Sequence, residues 1–154
     1  MGSADVTSGT DRFRTAPVRG TGTVRFIAFG DSGTGTTQQR ELAALMADDD
    51  FDLALHGGDI AYGESNGTGD GTHATLTDWF FSIYRDWLRR VPMFPSPGNH
   101  DSRPSTDNGI HYLESFVLPD DNNERYYSYD WGPVHFVALD TEYSFQDTTR
   151  RARQ

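Results

Sequence analysis

Val24-Arg25-Phe26-Ile27-Ala28-Phe29-Gly30-Asp31 is a short apolar run that stops at a glycine and a carboxylate. Such a run, bounded by turn residues, predicts a buried strand with an acid at its C-terminal end. The pattern recurs twice. Asp52-Leu53-Ala54-Leu55-His56 predicts a second strand, stopped by Gly57 and Gly58 and followed by Asp59. Val91 to Pro97 predicts a third extended segment, ending at Gly98-Asn99-His100-Asp101. Helices fit between them. Thr36 or Thr37 can cap the first, with Leu42, Leu45 and Met46 as its apolar face. Leu76, Trp79, Phe80, Ile83, Tyr84, Trp87 and Leu88 recur at three and four residues, a helix with an apolar stripe turned to a core.

The remaining chain is less regular. The Gly/Thr/Asn-rich residues 63–74 and residues 102–123 read as loops, with one helical turn near His111 to Phe116. Tyr126 to Tyr129 and Val134 to Asp140 predict two further strands around a Trp131-Gly132-Pro133 turn. Residues 1–22 are polar and read as a tail or linker, and residues 23–154 as the folded unit.

Alternating strands and helices predict a layered α/β fold. In such folds ligands gather at the C-terminal ends of the strands. Here three successive strand ends carry Asp31, then Asp59 with Tyr62, then Asn99 with His100. Carboxylates, a phenol, an amide oxygen and an imidazole suit hard and borderline metal ions. One carboxylate has two oxygens and can bridge two metals, a pair able to clamp a phosphoryl group during in-line displacement.

Composition narrows the alternatives. The net charge is −10 and all 13 basic residues are arginine. That is a poor surface for nucleic acid, so no nucleic-acid partner is expected. The absence of cysteine excludes thiolate metal sites and disulfide scaffolds. No apolar run approaches the roughly 18 residues of a transmembrane helix, so no membrane partner is expected. Met1 to Thr10 is small and polar, unlike a signal peptide.

Asp31-Ser32-Gly33, Gly58-Asp59-Ile60-Ala61-Tyr62 and Gly98-Asn99-His100-Asp101 resemble, in order, three blocks of the purple acid phosphatases, a branch of the calcineurin-like phosphoesterases. The tyrosine three places after Asp59 is the discriminating residue. The resemblance spans roughly residues 12–146 and implies the N-terminal half of a layered metallophosphoesterase α/β sandwich. It implies hydrolysis of small phosphate monoesters at a dinuclear centre, with metal-bound hydroxide as nucleophile. Asp31 and Tyr62 would bind Fe(III), Asp59 would bridge, and Asn99 would bind a divalent Fe, Zn or Mn. His100 would lie near the phosphate as an acid–base group, with Asp101 orienting it. An extracellular or periplasmic location is also implied. The family's three later histidines, one of them in a short apolar block and two in a Gly-His-x-His block, are not in this sequence. Residues 12–17 resemble the last strand of a preceding β-sandwich domain. The resemblance therefore predicts a portion of a longer protein, whose cut sheet would self-associate.

Several residues also have plainer readings. Gly-Asp after a strand is a common turn, and each block alone is weak. His56, His73, His111 and His135 have no motif support and read as structural. Asp48-Asp49-Asp50 reads as a solvated helix end. Gly30-Asp31-Ser32-Gly33 also resembles the nucleophile segment of chymotrypsin-like proteases, but no histidine precedes Ser32. Gly30 to Thr37 has P-loop glycine spacing, but Thr36 stands where the lysine is needed. The reading from a different class is a catalytically incomplete metal- or anion-binding module.

Overall fold

The structure, a computed structural model, describes residues 13–63, 70–102, 109–119 and 124–142. The expectations for residues 1–12 and 143–154 lie outside them. The elements are β1 (Phe26–Phe29), α1 (Thr37–Asp48), β2 (Leu53–His56), α2 (His73–Leu76), a π turn (Thr77–Phe81), α3 (Ser82–Leu88), β3 (Met93–Pro95), α4 (Ile110–Ser115), β4 (Tyr127–Trp131) and β5 (Val134–Ala138). β1, β2 and β3 form a parallel sheet in that order, and β4 and β5 an antiparallel hairpin. This is the expected α/β class. Among the described residues, 13–25 carry no helix or strand.

The parallel register sets the site. Phe29 pairs with His56, and His56 with Pro95, so all three strands end at one level. The chain therefore releases its three acid-bearing loops side by side. β3 is held at its last residue: the hydroxyls of Tyr112 and Tyr127 both donate to the Pro95 carbonyl, at 2.8 and 2.7 Å. The hairpin joins the sheet through Tyr129, which stacks on Phe94 with centroids 3.9 Å apart.

The core lies between the sheet and the helical run of residues 73–88. Leu76, Phe80, Tyr84 and Trp87 are fully buried, following the expected stripe, while Trp79 and Ile83 are only partly covered. Trp87 packs edge-on against Phe51 and Phe29. Each such aromatic contributes roughly 2–3 kcal/mol by leaving water.

Helix α1 is rotated from its expected orientation. Leu42 and Leu45 are 46% and 70% exposed, and the buried face is Gln39, Ala43 and Met46. The cause is Gln39. Its Oε1 accepts from the Thr34 and Gly35 amides at 3.1 and 2.8 Å, and its Nε2 donates to the Trp79 carbonyl at 2.7 Å in the π turn. A buried amide with all these partners is favourable, and it turns the leucines outward. Thr36, not Thr37, caps the helix, its side chain accepting from the Gln39 amide.

The two late strands are shifted from expectation: β4 runs on to Trp131 and β5 stops at Ala138. The turn is tight, with Trp131 paired to Val134 and Gly132 at φ 58°. At the opposite end of α1, exposed Asp50 pairs with Arg25 and Arg14. Such surface pairs are worth little. No helix among the described residues is long and apolar enough to cross a membrane.

Candidate metal centre

Each of the first two loops turns through an aspartate in the left-handed region. Asp31 and Asp59 both have φ 54°, directly after Gly30 and Gly58. Aspartate tolerates that conformation better than most residues, and such outliers gather at functional sites. The loops are laced together. The Asp31 amide donates to the Gly58 carbonyl at 3.1 Å, Ser32 to Asp59 at 3.3 Å, and Tyr62 to Gly33 at 2.7 Å. Nothing larger than glycine fits between them: a Cβ on Gly33 would fall inside the Ile60 carbonyl oxygen.

This lacing brings Asp31, Asp59 and Tyr62 together. The Tyr62 hydroxyl donates to Asp31 Oδ1 and lies 3.1 Å from Asp59 Oδ2. Burial, then the hydrogen bond to Asp31, push the Tyr62 hydroxyl well above the ordinary phenol range. Among the described residues neither Asp31 nor Asp59 has a basic partner. Two carboxylates and a phenol oxygen converging without a balancing cation fit a hard metal ion.

The third loop is docked onto the second. The His100 amide donates to Asp59 Oδ1 at 2.8 Å. The His100 ring lies 4.7 Å from that of Tyr62. Asn99 sits between the pinned residues Gly98 and His100, partly exposed, at the tip of this loop.

Asp101 has a different role from the one expected. It does not orient His100. It is 1% exposed and receives backbone amides on both oxygens, Ile60 on Oδ1 at 2.9 Å and Gly98 on Oδ2 at 2.8 Å. Burial pushes its pKa up to about 6, although these amides oppose the shift. Asp101 is a clamp between the second and third loops. The acid on the His100 ring is Asp70, whose Oδ2 meets His100 Nδ1 and whose Oδ1 receives the Gly63 amide. Asp70 is 3% exposed. It lies in a stretch read only as loop, and no local spacing links it to His100.

His56, which reads as structural in the sequence, has a structural role at the site. Its Nδ1 accepts the Gly58 amide at 3.2 Å, so its Nε2 carries the hydrogen and donates to Ser32 Oγ at 2.9 Å. One buried ring thereby braces both aspartate loops from below. Burial lowers its pKa to about 4, against a smaller opposite pull from Asp31. The unfolded chain, with a histidine near 6.5, takes up the proton first as pH falls. His56 therefore stabilises the fold above about pH 6.5, and the contribution is lost toward pH 4, about 3 kcal/mol in all. Urea unfolding at pH 7 and pH 4.5 should show this loss in the wild type and a smaller one in His56→Phe. An equal pH dependence in the two would refute the assignment.

The sequence matches the calcineurin-like phosphoesterase family over residues 24–149. Acid phosphatase type 7 of Homo sapiens is 31% identical over 147 residues, 94% of this chain and 31% of that protein. The Mus musculus protein of the same name is 33% identical over 124 residues, 79% of this chain and 26% of its own length. The Danio rerio protein is 31% identical over 125 residues. The chain thus spans a quarter to a third of the length of these curated relatives.

Proposed function

The chain belongs to the calcineurin-like phosphoesterase family, and on that premise we propose that its strand-end residues belong to a centre that hydrolyses small phosphate monoesters, in keeping with relatives named acid phosphatase type 7. The observation that carries this reading is the convergence of Asp31, Asp59 and the Tyr62 hydroxyl at the ends of adjacent parallel strands. The family implies two metal ions. Asp31 and Tyr62 would hold Fe(III), Asp59 would bridge, and Asn99 would hold a divalent Fe, Zn or Mn. Metal ions held there supply Lewis-acid neutralisation of the phosphoryl oxygens and an acidified water for attack.

The chain's own residues do the positioning. His100 presents its ring beside Tyr62, with Nδ1 held by Asp70. An imidazole anchored at one nitrogen can offer the other to a phosphate oxygen or a leaving group. Asp101 fixes the distance between the Asp59 and Asn99 loops. We place the protein outside the cytoplasm, in keeping with the resemblance of its motifs. Binding without turnover is a second reading, resting on the three converging donors Asp31, Asp59 and Tyr62, which are enough to hold one ion without completing a dinuclear centre.

Metal content, the visible spectrum and p-nitrophenyl phosphate hydrolysis, measured on iron- and zinc-loaded protein, test this. Wild type should carry iron with a phenolate charge-transfer band, lost in Tyr62→Phe, and metal content should fall in Asp59→Asn. Asparagine tolerates the left-handed turn at that position. Metal without hydrolysis would select the binding module. Metal unaffected by either substitution would overturn both readings.

A further inference from the structure

A second cluster of donors lies away from the strand ends. His73 opens α2, and His111 and Glu114 stand three residues apart on α4. One donor atom from each lies within 4.8 Å of the other two. His73 Nε2 is 2.8 Å from Glu114 Oε2, and the rings of His73 and His111 are 4.4 Å apart at 65°. His73 Nδ1 is 3.3 Å from Ser115 Oγ.

We propose that His73, His111 and Glu114 form a second metal site, for a divalent ion of the zinc class. Two imidazoles and one carboxylate are a common zinc donor set, with solvent completing the coordination. Donors about 2.1 Å from a tetrahedral ion stand roughly 3.4 Å apart, so small rotamer shifts would close the cluster. His73 and Glu114 are about half exposed and free to make them. Ser115 supplies the outer contact that fixes a ligating imidazole through its other nitrogen. A plain ion pair between His73 and Glu114 would need neither His111 nor Ser115.

The position suggests the purpose. His73 follows Asp70-Gly71-Thr72, and Asp70 holds the His100 ring. The Gly71 amide donates to the Ala61 carbonyl at 2.9 Å, and a Cβ on Gly71 would lie 3.0 Å from Asp101 Cα. An ion joining α2 to α4 would staple this segment in place. It would act on His100 only by keeping Asp70 seated, a positioning role.

The test is a titration of the whole chain with Zn2+, followed by NMR of the histidine ring protons. His73 and His111 should shift together along one saturating curve in the micromolar range, separate from any curve followed by His100. Glu114→Ala and Ser115→Ala report on the site separately: the first should weaken binding at least tenfold, the second less. Both residues are at the helix surface, and Glu114→Gln, which keeps the shape, should behave like Glu114→Ala. Rings of His73 and His111 that stay unmoved at millimolar Zn2+, or that shift equally in Glu114→Ala and wild type, would overturn the proposal. The His100 ring serves as an internal reference for metal taken up at the strand ends.

Discussion

Gly98→Ala is expected to cost at least about 3 kcal/mol and to abolish metal binding at the strand ends. The new Cβ would fall onto the Asp59 amide nitrogen and Oδ1, which are backbone and site atoms at once. Neither can retreat. Asp59 is locked in a left-handed turn, and its Oδ1 already receives the His100 amide. Gly58 faces the same junction from the other side, where a Cβ would lie 2.7 Å from Gly98 Cα. Gly57 is the control. Its Cβ would meet only the Phe29 carbonyl, at 3.8 Å. Gly57→Ala should stay within about 1 kcal/mol of wild type, because Gly→Ala at a compatible position mainly restricts the unfolded chain. Chemical denaturation of both variants decides the matter. Equal stabilities would show that the close packing of the two loops does not limit the site.

Asp101→Ala is expected to be nearly as damaging, through lost acceptors. The buried Ile60 amide would be left without a partner, at roughly 1–3 kcal/mol, and the partly buried Gly98 amide would lose its acceptor at a smaller cost. Asp101→Asn should recover part of this, since its amide oxygen can accept one of the two. A positioning role predicts that stability and metal affinity fall together. If Asp101 instead acted in proton transfer, the alanine variant would keep its stability and metal and lose only turnover. Thermal unfolding alongside metal content separates these outcomes.

The sheet, the helical stripe from Leu76 to Leu88 and the three site loops are legible because local pattern encodes them, whereas the start of the helical run at His73 falls in a stretch that reads as loop. An apolar run ending in Gly-Asp reads the same in sequence as in space. The partners across the site were not legible. Asp70 and His100 are thirty residues apart, and His73 and Glu114 forty-one. No periodicity joins such pairs; only the fold does. Helix α1 shows a different limit. Hydropathy favours Leu42 and Leu45 as the inner face, but the buried face carries Gln39, whose amide bonds the Thr34 and Gly35 amides and the Trp79 carbonyl, partners that no local pattern announces. Asp101 was read through its neighbour His100, whereas burial and two amides assign it to the backbone.

The common level at which the three strands end also governs when the site can exist. The links that tie the third loop to the second span a long stretch of chain: Asp59 with His100, and Ile60 with Asp101, are each forty-one residues apart. Closing such loops is slow, and parallel pairing offers no hairpin to begin from. During synthesis Asp31 and Asp59 emerge well before Gly98 to Asp101 can dock against them. On the proposed function, an ion that uses Asn99 as a ligand would be held only after β3 has joined the sheet.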